Sequence, residues 1–169
     1  MKHFTLLLFT LFILFVILVR IGELLLSKRN ERWLLQHNAV EFGGKHYPFI
    51  VILHVLFFIS LFSEYVTQPI HDYSLVLIIL YFFLLVCKAW IIKSLGKFWT
   101  TKIYRIRGIP LIQKGPYKYV KHPNYIVVIV EIAIIPLAFH LYTTAIVFTL
   151  LNALLLSIRI KEENKALQI

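Results

Sequence analysis

Five long apolar runs divide the chain, and they limit what it can fold into more than any other feature. A membrane-spanning helix needs about 20 predominantly apolar residues, and about 17 is the short end of the range. Hydrophobic residues make up 60% of the 169 positions, which is more than a soluble domain of this size can bury. The chain is therefore predicted to be an all-α integral membrane protein with about five transmembrane helices. The apolar runs are 4–19, 49–63, 74–92, 125–139 and 141–158.

The runs predict a single membrane domain over residues 1–169. One or two residues around His140 separate the fourth and fifth helices, and Pro136 weakens the end of the fourth. The two are therefore expected to form a tight helical hairpin, and whether it spans the membrane fully stays open. Glycines and prolines interrupt residues 95–122, which predicts a folded cytoplasmic loop, and a short C-terminal helix should follow the last span. The expected helices cover about 4–35, 49–66, 74–94, 123–139 and 141–165.

The basic residues indicate which side of the membrane each connection occupies. The chain has 18 Lys and Arg against 8 Asp and Glu, a net charge of +10. Five spans place every basic residue except Lys2 on one side, in segments 20–48, 88–121 and 159–165. The positive-inside rule makes that side cytoplasmic, so the N-terminus is expected outside and the C-terminus inside the cell. Membrane lipids are then the expected partners of the basic residues, and nucleic acid is not.

The polar residues inside the apolar runs are few, and most have both a structural and a functional interpretation. Cys87 is the single cysteine, which excludes a disulfide framework and a cysteine-based metal site; the histidine spacing suggests no metal either. An ionisable group within a membrane helix usually faces the interior of the bundle. His54 is therefore a packing histidine or part of a substrate tunnel, and Glu131 is a structural acid or part of a substrate cavity. Arg20 and Glu23 share a helix face, which indicates a local ion pair.

Two polar clusters on the cytoplasmic side are the candidates for chemistry. In GPYKYVKHPNY (115–125), His122 suits the cap and Pro123 the first turn of a helix, whose free N–H groups favour an anionic or polar ligand. The second cluster is RIKEE (159–163), directly after the last apolar run. The hairpin brings the two clusters together at one membrane face. Alternatively, the loop is a membrane-interface segment and Arg159 is a snorkelling side chain.

Together the two clusters resemble the C-terminal signature of the isoprenylcysteine carboxyl methyltransferase family, whose members are integral-membrane enzymes that use S-adenosylmethionine. Three further segments resemble a small bacterial branch of that family, the alkylpyrone O-methyltransferases that modify products of type III polyketide synthases. These segments are RIGELLLSKRN (20–30), EFGGKHYPFIVILH (41–54) and LGKFWTTKIYRIRGIPL (95–111). The resemblance covers nearly the whole chain and implies a location in a bacterial plasma membrane and a functional link to a type III polyketide synthase.

The resemblance implies a cofactor pocket between the loop before H-P-x-Y and the helix after the hairpin. A carboxylate there would bind ribose hydroxyls or the amino group of the methionine part, and either Glu162 or Glu163 can be that acid. Arg159 matches the arginine that positions the substrate, and it is the expected catalytic residue because a guanidinium holds an anionic oxygen. His54 and Glu131 are candidates for the acceptor side. The other implied cofactor-binding residues are Leu111, Ile112, Tyr117, His122, Pro123, Asn124 and Tyr125.

The expected activity is S-adenosylmethionine-dependent O-methylation of a lipophilic acceptor dissolved in the membrane, with an alkylpyrone or related polyketide lipid as first choice. A prenylcysteine-type carboxyl methyltransferase or a phospholipid methyltransferase stays open. So does a membrane reductase that uses NADPH, because some sterol reductases carry a similar basic C-terminal element. Outside enzymes, the alternative is a membrane adaptor that docks lipids or proteins through the basic loop.

Overall fold

A computed structural model describes residues 2–69 and 72–167, and that part of the chain forms five α-helices and a short antiparallel ribbon. A helical hairpin of α4 and α5 packs against the earlier helices, with α4 against α3 and α5 against α2. The helices are α1 (Lys2–Gln36), α2 (Tyr47–Thr67), α3 (Leu75–Leu95), α4 (Pro123–Leu137) and α5 (Tyr142–Ala166). The strands are β1 (Val40–Phe42) and β2 (Ile103–Arg105).

The helices confirm an all-α fold that suits a membrane. In the described part of the chain, four helical stretches are long and apolar enough to cross a bilayer, and α4 is a shorter apolar helix. At 15 residues, α4 is about 22 Å long, less than the roughly 30 Å of hydrocarbon. The expected short C-terminal helix is the polar end of α5 and is continuous with it. The four long stretches are His3–Gln36, Gly44–Thr67, Leu75–Phe98 and Tyr142–Ala166.

Aromatic side chains pack in the centre of the bundle, and both aromatic and aliphatic side chains cover its outside. Phe9 stacks on Tyr65 with ring centroids 3.8 Å apart and meets Phe139 edge-on at 5.0 Å. On the outward faces, Phe83 and Leu150 are 61% and 62% exposed. Such a surface is stable only against lipid, because hydrocarbon removes the cost of exposing these side chains to water.

The turn between α4 and α5 lies at the same end of the bundle as the connection between α2 and α3. The backbone N–H of Ser74 donates to the carbonyl of Ala138 at 2.8 Å. The carboxylate of Glu64 accepts from the backbone N–H groups of Thr143 and Thr144, at 2.9 and 2.7 Å. Glu64 thereby caps the start of α5, where free N–H groups and the helix dipole favour an anion. The hairpin therefore reaches the far end of the bundle although α4 is short.

The opposite end of the bundle, here called the polar end, carries the ribbon and the loop at 96–122. In the ribbon, Val40 pairs with Arg105 and Phe42 with Ile103, a pairing that the sequence did not predict. The loop is fixed to α1, which extends beyond its apolar run. The side-chain amide of Asn30 donates to the carbonyl of Trp99 at 2.8 Å.

Four charged side chains form a cluster inside the bundle, here called the buried ion cluster. From the sequence, Arg20 and Lys88 are expected among the cytoplasmic bases. In the structure both point into the bundle, and the side chain of Lys88 is 3% exposed. Arg20 forms the expected pair with Glu23 at 2.9 Å and a second pair with Glu131 at 2.7 Å. Lys88 contacts both acids as well. The two charges of each sign balance, which lowers the cost of holding them in a membrane interior.

Candidate active site

The start of α4 and the end of α5 place four polar side chains in mutual contact. The hydroxyl of Tyr125 donates to one carboxylate oxygen of Glu163 and accepts a 2.9 Å hydrogen bond from Nε of Arg159. The ring of His122 stacks on Tyr125 with centroids 5.4 Å apart, and its Nδ1 lies 3.6 Å from the other oxygen of Glu163. Each helix supplies two residues spaced by about one turn, so the antiparallel hairpin is sufficient to assemble the group.

His122 occupies the N-cap position of α4, and Pro123 lies in the first turn. The imidazole makes no capping hydrogen bond, because it turns toward α5 instead. There its Nε2 lies 3.4 Å from the side-chain oxygen of Asn164. The residue expected to cap the helix therefore links the two helices of the hairpin.

Arg159 has hydrogen-bonding capacity left over. Only its Nε is engaged, by Tyr125, while the guanidinium carbon lies 5.4 Å from the centroid of the Tyr125 ring. Within residues 2–69 and 72–167, neither Nη atom has a hydrogen-bond or carboxylate partner. An oriented guanidinium with free Nη donors is suited to an anionic oxygen.

An open cleft with an internal volume of about 100 Å³ lies beside this group, between the loop and the end of α5. In the described residues, four polar atoms of the lining are buried without a hydrogen-bond partner, and one of them, Nδ1 of His122, lies 3.6 Å from Glu163. The other three are Nε1 of Trp99, Nε of Arg105 and Oδ1 of Asn124. Buried polar atoms are normally paired, so these three are free to contact a bound molecule. The lining of the cleft includes Phe98, Trp99, Arg105, Tyr117, His122, Asn124, Tyr125, Arg159 and Glu163.

Tyr117 reaches the cleft because the short helical turn Gly115–Lys118 packs closely on α3. Gly115 has a left-handed φ of 55°, and a Cβ there would overlap the hydroxyl of Ser94. Glycine is therefore required twice, for the backbone conformation and for the close approach. Burial, and then the charge of Glu163, raise the pKa of Tyr117, so its phenol stays protonated.

The two adjacent acids of RIKEE face different surroundings. Glu163 lines the cleft, whereas Glu162 does not and pairs with Lys165 at 2.7 Å. Adjacent residues on a helix point about 100° apart, so only one of them faces the cleft.

Five other expected site residues are not part of the cleft lining. Leu111 is 44% exposed and Ile112 is half-buried, and neither lines the cleft. His54 lies on α2 with its Nδ1 2.7 Å from the carbonyl of Ile50, and Glu131 belongs to the buried ion cluster. Pro123 is buried in the first turn of α4 beside lining residues.

A second, much smaller cavity of about 10 Å³, here called the ribbon cavity, lies between the ribbon, the start of α2 and α5. Arg159 lines both cavities. The sequence does not indicate that the ribbon residues lie near α5, because this proximity depends on the pairing of β1 with β2. Its lining includes Glu41, Gly43, Gly44, His46, Tyr47, Ile50, Lys102, Ile103, Arg159 and Glu162.

The carboxylates of Glu31 and Glu41 bind two side chains at β2: Lys102, directly before the strand, and Tyr104, within it. Lys102 lies 3.0 Å from Glu31 and 3.5 Å from Glu41. The hydrogen bond to Glu31, and attraction to both acids, raise the pKa of Lys102. Burial and hydrogen bonds to the same acids raise the pKa of Tyr104. Lys102 thus stays charged and Tyr104 stays a donor, and both are committed to structural contacts.

The cleft is also lined by three residues that were not predicted as site residues: Trp99, Lys102 and Arg105. All three stand in LGKFWTTKIYRIRGIPL (95–111), the loop segment that carried part of the family resemblance. The sequence feature that could have indicated these residues is the alternation of aromatic and basic side chains in this segment. A membrane-interface loop has the same composition, so this signal alone does not select individual side chains.

The fold and the cleft define an integral membrane protein with an open polar cleft at one end of its helical bundle. The sequence model of the isoprenylcysteine carboxyl methyltransferase (ICMT) family matches residues 76–169, and the chain belongs to this family. The matched part contains α3, α4, α5 and the loop that carries most of the cleft. The family is one of membrane methyltransferases, and methyltransferases of this family use S-adenosylmethionine.

Two bacterial proteins are similar along nearly their whole lengths. The uncharacterized protein YpbQ of Bacillus subtilis (strain 168) is 42% identical over 163 residues, which cover 95% of this chain and 96% of that protein. An uncharacterized protein of Haemophilus influenzae is 28% identical over 155 residues, 90% of each chain. No solved structure gives a significant match to the chain.

Proposed function

We propose that this protein is an S-adenosylmethionine-dependent O-methyltransferase whose acceptor is a lipophilic molecule dissolved in the membrane, an alkylpyrone or related polyketide lipid. The observation that carries the proposal is the position of Arg159. Arg159 lines an open cleft together with Glu163, and within the described residues its Nη atoms have no hydrogen-bond partner. A functional link to a type III polyketide synthase follows from that acceptor, because such a synthase makes alkylpyrones.

The residues of the cleft fit S-adenosylmethionine chemically. The carboxylate of Glu163 has about four lone-pair sites, and Tyr125 and His122 occupy only part of them, so it can also bind an ammonium or ribose hydroxyls. Within the described part of the chain, the buried atoms Nε1 of Trp99 and Oδ1 of Asn124 have no hydrogen-bond partner, so they offer one donor and one acceptor. When bound, the cofactor supplies an electrophilic methyl group on a sulfonium.

The protein's own contribution is positioning. Arg159 holds the acceptor oxygen in its anionic form, and Tyr125 fixes the direction of the guanidinium through the 2.9 Å bond to Nε. Methyl transfer is an in-line displacement, so alignment of the two reactants supplies much of the rate enhancement. An enolic hydroxyl such as that of a pyrone ionises readily, so stabilisation of the oxyanion by Arg159 is more important than a strong base.

A lipophilic acceptor suits the surface of the bundle. The outward faces of α2 and α5 expose Ile52, Val55, Leu150 and Leu154 by about half or more, and such faces lie in lipid. Arg159 is located where α5 leaves its apolar run, so the head of an amphiphile can reach it while the tail stays in hydrocarbon. We further propose that this end is cytoplasmic, as the positive-inside rule requires.

Equilibrium binding and methyl transfer with detergent-purified protein test the proposal. The protein should bind S-adenosylhomocysteine and not NADPH. With radiolabelled S-adenosylmethionine it should methylate an alkylated hydroxypyrone in preference to a prenylcysteine or a phospholipid. Binding of NADPH alone would support a reductase, binding of neither would support an adaptor, and transfer only to prenylcysteine or phospholipid would contradict the acceptor class.

A further inference from the structure

Arg105, the last residue of β2, brings a second guanidinium to the cleft that Arg159 and Glu163 line. In the described residues its one hydrogen bond runs from Nη2 to the carbonyl of Ile109, and its Nε is buried without a partner. None of the ion pairs among these residues includes Arg105. A guanidinium has five N–H donors, so the carbonyl orients Arg105 and leaves its charge and most of its donors available to an anion.

The other cationic groups that line the cleft already have partners or a role. Lys102 is committed to two carboxylates, and His122 faces the carboxylate of Glu163. Arg159 is fixed by a tyrosine hydroxyl at the end of α5, where the head of the acceptor reaches it. Arg105 is carried by the loop, on the other side of the cleft from α5, and has no such assignment.

The indole of Trp99 supplies a second donor on the loop side. Trp99 is 3% exposed and lines the cleft. In the part of the chain that the structure describes, its Nε1 has no hydrogen-bond partner. An indole nitrogen donates and does not accept, and buried polar groups are normally paired. A molecule bound here therefore satisfies Trp99 only if it presents an acceptor.

Helix α1 holds this side of the cleft in place before any ligand binds. The side-chain amide of Asn30 donates to the carbonyls of Gly96 and Trp99, at 3.2 and 2.8 Å. The hydroxyl of Ser27 accepts a 2.8 Å hydrogen bond from the backbone N–H of Thr101, and β2 pairs with β1. The donors are thus preorganised, which lowers the entropic cost of binding.

S-adenosylmethionine has a single anionic group, the carboxylate of its methionine part, and this group lies next to an ammonium. Resting on the proposed function, we infer that Arg105 binds this carboxylate, with the indole N–H of Trp99 as a second donor. A zwitterion fits a cleft that offers a cation on the loop side and an anion, Glu163, on α5. About 100 Å³ has room for this end of the ligand, since one water needs only roughly 10–15 Å³.

This placement gives the two guanidinium groups different tasks. Arg105 contributes to the affinity for the cofactor, because the carboxylate is the same before and after methyl transfer. Arg159 acts on the acceptor oxygen, whose charge changes during the reaction. A loss at Arg105 is therefore expected in binding, and it depends on whether the ligand carries a carboxylate.

Calorimetry with two ligands tests the inference on detergent-purified protein. The ligands are S-adenosylhomocysteine and its decarboxylated analogue, which keeps the adenosine, the sulfur and the amino group. Arg105→Met should weaken binding of S-adenosylhomocysteine about tenfold to hundredfold and leave the affinity for the analogue at the parent value. Arg107→Met, an exposed arginine of the same loop outside the cleft, is the matched control and should bind both ligands like the parent.

Two milder variants decide the question if Arg105→Met does not fold. Arg105→Lys keeps the charge without the planar fork, so its affinity for S-adenosylhomocysteine should be reduced by a smaller factor. Trp99→Phe keeps an aromatic ring but removes the donor, and it should weaken the same ligand about twofold to tenfold. Both variants should bind the decarboxylated analogue like the parent.

Four results would overturn the inference while leaving the methyltransferase proposal intact. The parent could bind both ligands equally, the Arg105 variants could bind S-adenosylhomocysteine like the parent, or they could lose affinity for both ligands alike. Loss of the preference in Arg159→Lys instead would assign the carboxylate to Arg159. If the parent binds neither ligand, the cofactor of the proposed function is wrong and the inference fails with it.

Discussion

Arg159 donates a 2.9 Å hydrogen bond from Nε to the hydroxyl of Tyr125, and the two residues lie 34 positions apart on the two helices of the hairpin. The same hydroxyl donates to Glu163. One phenol therefore fixes a cation and an anion at the same end of the bundle.

Arg159→Lys should separate chemistry from cofactor binding. Lys keeps the positive charge but loses the planar fork that sets the direction of an oxyanion. Methyl transfer should therefore fall steeply in turnover, because the lost interaction strengthens as the oxygen aligns with the methyl group. Affinity for S-adenosylhomocysteine, measured by calorimetry, should stay near the parent value. An equal fall in cofactor affinity would place Arg159 in the cofactor site, and no change in either would favour the snorkelling interpretation.

The two acids of RIKEE should behave differently. Glu163→Gln removes a charged acceptor from the cleft, and loss of one charge-assisted hydrogen bond costs roughly 1.5–3 kcal/mol. Affinity for S-adenosylhomocysteine should then fall by about tenfold to hundredfold. Glu162→Gln is the matched control and should leave that affinity unchanged, since Glu162 faces Lys165 and not the cleft. Weaker binding in the Glu162 variant alone would reverse the assignment.

Lys88→Met should strongly destabilise the protein in detergent. Removing one cation leaves the fully buried carboxylate of Glu131 with less compensation, and breaking a buried pair costs about 3–5 kcal/mol. Lys93→Met, an exposed lysine of the same helix, is the control and should melt like the parent. Adding Glu131→Leu to Lys88→Met should recover part of the loss, because the uncompensated charge is gone. Equal thermal unfolding of the two lysine variants would show that the buried ion cluster contributes nothing.

The proposed orientation is testable by cysteine labelling in intact cells. After Cys87→Ala removes the native thiol, single cysteines replace Lys114 in the loop or Thr67 at the end of α2, both exposed positions. An impermeant maleimide should label the cysteine at 67 and spare the one at 114, because the basic loop is expected in the cytoplasm. The opposite pattern would put the cleft on the wrong side for a cytosolic cofactor.

Much of the fold was predictable from the sequence because membrane helices are defined by local composition. The apolar runs around 49–66 and 74–94 correspond to α2 (Tyr47–Thr67) and α3 (Leu75–Leu95). The contact between the two polar clusters was predictable too, since a tight turn near His140 forces α4 and α5 to run antiparallel. The hydrophobicity and length of a helix, and the length of a connection, depend only on the local sequence.

Features that join distant segments were decided only by the tertiary structure. Lys88 is a base among other bases in the sequence, and only the packing of α1, α3 and α4 turns it inward onto Glu131. The choice between Glu162 and Glu163 depends on the rotation of α5 about its axis, which hydrophobic runs do not set. The ribbon cavity depends on the pairing of β1 with β2, whose residues are 63 positions apart at the contact of Glu41 with Tyr104. The sequence thus determined the helices and their order, whereas contacts between distant segments decided which side chains share a site.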